Sequence, residues 1–131
     1  NIYYIMSNEV EERLKELNIE DFIWIIYIGI IFMSWYANSL ERKYFTESDL
    51  KAKTKYREIM VGIFIVLVIV YSYFLIDSYK DLKNINNYSS EENKKFVLLS
   101  FIASLFIVIS GLIYLYIAIK DEDLNVELAF N

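Results

Sequence analysis

Three membrane-spanning helices in an all-α integral membrane protein are expected from three features of this chain. Its residues are 56% hydrophobic, its 24% charged residues are confined to the segments between apolar runs, and one of those runs, residues 96–119, contains no charge at all. A helix over 96–119 is roughly 36 Å long, enough to cross a hydrocarbon core of roughly 30 Å. The 131 residues allow one membrane domain. It divides into a short amphipathic N-terminal helix within 1–21, a three-span bundle at 22–119 and an acidic tail at 120–131, with spans at about 22–40, 59–76 and 96–119.

Composition removes many function classes before any motif is considered. With no cysteine there is no disulfide, thiolate metal site or cysteine catalysis, and with no histidine the commonest metal ligand is missing. Proline is absent and glycine occurs three times, so the spans carry no proline kinks. A net charge of −5 argues against nucleic acid, whose phosphates require a basic surface.

The elements follow in chain order. Residues 1–6 are apolar but too short to span anything. From Asn8, which can cap with Glu11 three positions later, a helix is expected in which Val10, Leu14 and Leu17 share one face while Glu9, Glu12 and Glu16 lie elsewhere. An acidic amphipathic helix is a poor match for anionic headgroups and a better match for protein. Asn18 with Asp21 offers a second cap, opening the span at 22–40, with Trp24 near one end and Trp35 and Tyr36 near the other as interfacial anchors. No cleavable signal is expected, because the preceding region is acidic. Tyr27, Ile31, Ser34 and Asn38 line one face of this span, the candidate buried side, since polar groups are costly against lipid.

The connector at 41–58 holds Arg42, Lys43, Lys51, Lys53, Lys55 and Arg57 and is the most basic part of the chain. Thr46 with Asp49 resembles a capping box, and no breaker intervenes before the span at 59–76, so the second helix is expected to start well before its apolar part and to continue through Asp77 to Lys83. That span shows no distinct interior stripe. Residues 84–88, with three asparagines, read as a turn, and Ser89 with Glu92 as the capping box of the third helix, making an antiparallel hairpin.

On the third helix Ser100, Ala103, Ser104, Ser110, Gly111 and Ala118 fall inside an arc of roughly 120° at about 100° per residue. Lipid is as apolar as leucine, so small residues mark where another backbone approaches closely. Beyond Lys120, the acids Asp121, Glu122 and Asp123 sit where the helix dipole favours cations. Leu124, Val126, Leu128 and Phe130 then alternate with other residues, as in a half-buried strand. Two readings follow for the tail: a frayed acidic terminus, or an extended segment docking on a membrane or soluble protein partner through 124–131.

Between their ends the three spans hold no Asp, Glu, Lys, Arg or His, so no catalytic residue, metal ligand or cofactor-binding residue is expected and the chain is expected not to be an enzyme. Two features remain. Ser34, Asn38, Ser100, Ser104, Gly111 and Ala118 are candidates either for packing within the three-helix unit or for a subunit interface or pore lining in an oligomer. Arg42, Lys43, Arg57, Asp121, Glu122 and Asp123 form a charged collar at one membrane level, either mutually neutralising or, repeated around an axis, a cation-attracting ring. The expectation is a small multi-pass cell-membrane protein acting in the lipid bilayer as a homo-oligomer, a pore or ion-channel subunit. The alternative is a non-conducting accessory, immunity-type or scaffold subunit. Two Lys and Arg precede the first span and six follow it, placing the N-terminus outside and the C-terminus in the cytoplasm.

Overall fold

The computed structural model describes residues 2–128, with side chains from residue 6. It is all-helical: α1 (Ile2–Glu47), α2 (Leu50–Lys83) and α3 (Glu91–Lys120) are each long and apolar enough to cross a membrane. The expected short N-terminal helix is not a separate element. α1 runs unbroken through both Asn8 and the Asn18–Asp21 pair. Cap-forming side chains permit a helix to start, but no glycine or proline lies between Asn8 and Phe22, and stopping there would orphan backbone groups that the continuing helix satisfies. At 46 residues α1 is roughly 69 Å long.

α1 ends at Glu47, and the chain reverses through Ser48, whose φ of 55° is rare outside glycine and whose amide donates to the Tyr44 carbonyl at 2.8 Å. The expected Thr46–Asp49 box is not formed. Asp49 is itself the N-cap of α2, accepting from the amides of Lys51 at 3.0 Å and Ala52 at 3.2 Å, while Thr46 donates back to the Arg42 carbonyl inside α1. α2 then runs to Lys83, as expected, and a turn leads to α3. Its N-cap is Ser90, not Ser89: the Ser90 hydroxyl accepts from the Asn93 amide at 3.0 Å, while Ser89 closes the preceding turn by donating its amide to the Asn86 carbonyl.

The helices lie in a row with α2 in the middle. α2 packs on α1 and on α3, whereas among the described residues no α1 residue approaches an α3 residue within 8 Å between Cα atoms. Each outer helix presents one seam spaced alternately three and four residues apart, the period of antiparallel left-handed packing. On α1 the seam holds Ile23, Tyr27, Ile30, Ser34, Ala37 and Glu41, and on α3 Val97, Phe101, Ser104, Val108, Gly111, Leu115 and Ala118, all buried or half-buried. The α1 seam corrects the expected one, since Ile31 is 64% exposed and Asn38 is exposed, while Ala37 is fully buried.

Candidate functional site

The row has two ends, and they differ in construction. At the turn end, where α2 passes to α3, Arg13 of α1 pairs with Glu16 at 3.0 Å and approaches Glu20 at 3.7 Å. Asp77 of α2 faces these acids. Partial burial, and then the charges of Glu16, Asp81 and Glu20, raise its pKa above the ordinary carboxylate value.

At the tail end residues 121–128 fold back over the helices, so over these described residues the tail is neither frayed nor a strand. Asp121 accepts from the Asn125 side-chain amide at 2.9 Å and from the Val126 amide at 3.0 Å. The carboxylate is held below its usual pKa by its bonds to Asn125 and Val126, with Arg57 contributing through its charge. Leu128 is 7% exposed and joins one apolar cluster with Ala37 of α1, Tyr56, Met60, Phe64 and Leu67 of α2, and Ala118 of α3. Leu124 packs against the same cluster with φ at 54°, whereas Val126 points outward. The pattern of inward residues is therefore four apart rather than two. Phe130, also read as part of a strand, lies outside the described residues.

Basic residues of α2 organise the surroundings. Arg57 donates from Nη2 to the Ile119 carbonyl at 3.0 Å, adding a cation and a donor to the C-terminus of α3 beside Lys120 of its last turn. Lys53 lies 3.9 Å from Asp123 and 5.0 Å from the Tyr44 ring centroid, and Lys55 sits 5.3 Å from the Tyr36 ring. Tyr56 is buried, and that burial together with its hydrogen bond to Glu41 of α1 pushes its pKa well above the ordinary phenol value.

Of the collar residues, Arg57 bonds to the Ile119 carbonyl and acts on Asp121 through its charge, Asp123 approaches Lys53, Lys43 pairs with Asp49 at 3.4 Å, and Arg42 uses its carbonyl to accept from Thr46. Glu122 is exposed on the turn that follows α3. Lys53, Tyr56, Glu41 and Leu128 were not singled out from sequence. Only the alternation of the tail pointed toward the last of them.

Of the small residues, Ser104, Gly111 and Ala118 turn toward α2. The Ser104 and Ser78 hydroxyls are 3.0 Å apart, and a Cβ on Gly111 would meet Tyr71 at 3.2 Å and Val68 at 3.3 Å. Ser100, Ala103 and Ser110 instead lie exposed on the flank of α3. Ser34 faces α2 across an apolar groove of about 370 Å³, bounded also by Tyr27, Ile30, Ile31, Leu67 and Tyr71, and Asn38 lies outside it. Ser34 and Asn38 therefore do not face the α3 residues. Among the described residues no group of three or more Asp, Glu, His or Cys side chains is placed to hold a metal ion. No protein-family model, curated protein or solved structure matches the chain.

Proposed function

We propose that the chain is a multi-pass membrane protein without enzymatic activity that assembles as a homo-oligomer and serves as a pore or ion-channel subunit. The observation that supports this reading is the open row: among the described residues α3 packs on α2 and not on α1, and Ser100, Ala103 and Ser110 are exposed on its flank. A row of three helices encloses no pathway by itself, whereas copies arranged about an axis enclose one, lined by the hydroxyls of a repeated helix. In this reading the spans are 22–40, 59–76 and 96–119. The basic end of α2 then faces the cytoplasm by the positive-inside rule, with the N-terminus outside.

Because the chain has no cysteine, a single Ser110→Cys gives an unambiguous cross-linking site. Neighbouring copies joined through that residue in membranes, together with ion flux in liposomes that falls by at least about tenfold with Ser110→Leu, support the proposal. A strictly monomeric protein that passes no current at high loading overturns it. Ser104→Leu is the poorer probe, since Ser104 already bonds to Ser78 within the chain.

A second reading, an accessory subunit of another membrane complex, draws on the exposed apolar stripe of Met6, Val10, Leu14 and Leu17 on the far part of α1. It requires a partner that co-purifies in mild detergent and is lost with Leu14→Glu. An unchanged set of bound proteins counts against it.

A further inference from the structure

We infer that the groove where the charged ends of α2 and α3 meet is a peptide-docking groove occupied by the chain's own residues 121–128, and that this contact clasps α1 to α3. The two outer helices do not otherwise approach one another. Leu128 shares one cluster with Ala37 of α1 and Ala118 of α3, across Tyr56 and Met60 of the central helix. Tyr56 and Met60 of α2 with Ile117 and Ala118 of α3 line the groove together with Leu124 and Leu128 of the tail.

The approach of the tail is shaped by local bonds. Asp121 brackets the turn by accepting from Asn125 and Val126 at once, and Leu124 is held in the left-handed region, a conformation a leucine keeps only where its surroundings impose it. Between the two inward leucines the exposed residues contribute little. Val126 is 55% exposed, and the Asp123 side chain is 84% exposed at 3.9 Å from Lys53. A clasp with one buried anchor, one half-buried anchor and one carboxylate bracket is able to open without unfolding the helices, because α1 and α3 each keep their own seam on α2. Opening frees the end of α1 from the end of α3 and bares a groove of tyrosine, methionine and alanine beside Arg57. The inference is independent of whether the chain conducts.

Amide hydrogen exchange on the full chain in detergent micelles, read by peptide mass spectrometry, tests it. In the unaltered protein the amides of 122–128 should be protected relative to an unstructured peptide. Leu128→Ala should raise their exchange by at least about tenfold and also raise exchange in 37–47 at the end of α1. Val126→Ala should change neither. Asn125→Ala, which removes one donor to Asp121 and leaves every helix intact, should give the same pattern at smaller amplitude and serves if Leu128→Ala folds poorly. Unprotected tail amides in the unaltered protein overturn the inference. So does a Leu128→Ala protein whose tail is freed while residues 37–47 exchange as before.

Discussion

The two flanks of α2 are packed by different means. Toward α3 the contact is close: Gly111 admits Tyr71 and Val68 almost to backbone distance, two serine hydroxyls meet at 3.0 Å, and Phe64 stacks on Tyr114 with ring centroids 5.5 Å apart. Toward α1 the seam carries larger side chains and keeps an open apolar groove of about 370 Å³ bounded by Tyr27, Ile30, Leu67 and Tyr71. Where no water is present to drive apolar surfaces together, shape and small residues decide how near two helices come. One flank is therefore closed by small residues and the other bridged by larger side chains around an open groove.

The difference is open to direct attack, beginning with the closest point. Gly111→Leu must push α3 away from Tyr71 and Val68, and should destabilise the fold by about 2 kcal/mol or more, measured by thermal or denaturant unfolding in detergent. Ile31→Phe, which enlarges a side chain at the open groove, should cost less than about 1 kcal/mol in the same assay. A loss smaller than that of Gly111→Leu is expected for Tyr56→Phe, which keeps the packing and removes the hydroxyl that interacts with Glu41, at about 1 kcal/mol. Ser104→Ala should cost about 0.6 kcal/mol, the usual worth of a hydroxyl bond between spans. Gly62→Ala, where nothing lies within 4 Å of the added Cβ, should instead gain a few tenths of a kcal/mol from helix propensity.

Acid should reach Asp77, whose pKa is raised, first, and the tail only at lower pH. The Asp121 carboxylate is held below its ordinary pKa in the folded chain. Its contribution is thus fully present above the ordinary carboxylate value and is lost as pH falls through the lowered one. Arg57 acts on Asp121 through its charge, and the buried Tyr56 lies near both Asp121 and Glu127. Amide exchange of 122–128 should rise as pH is lowered toward 3, after correction for intrinsic rates, while exchange within the apolar parts of the helices stays unchanged.

The three long helices were legible because hydropathy over twenty residues is a strong signal, and α2 was correctly extended to Lys83 because nothing in the chain stops it. The absence of a stripe on 59–76 had a physical cause: a helix packed on both flanks has two seams, and together they leave no single face. The small residues of α3 were read as one arc, but the seam is centred near one edge of that arc. Ser104, Gly111 and Ala118 meet α2, and Ser100, Ala103 and Ser110 do not. On α1 the reading was off by about one position, taking Asn38 over Ala37, because polarity drew attention where burial favours a small apolar residue. The caps slipped similarly, since Ser89 and Ser90 offer the same chemistry and only the turn geometry selects between them. The tail's apolar residues pointed to docking on a partner, and among the described residues Leu124 and Leu128 pack on the chain's own helices.

α1 continues without interruption from Ile2 to Glu47, and its seam residue Ala37 lies roughly 40 Å along the axis from Val10. No hinge separates the stretch that stands beyond the other helices from the stretch that packs against them. A stiff rod of this kind transmits twist and tilt, so torque applied near Val10 reaches the Leu128 clasp without being absorbed along the way.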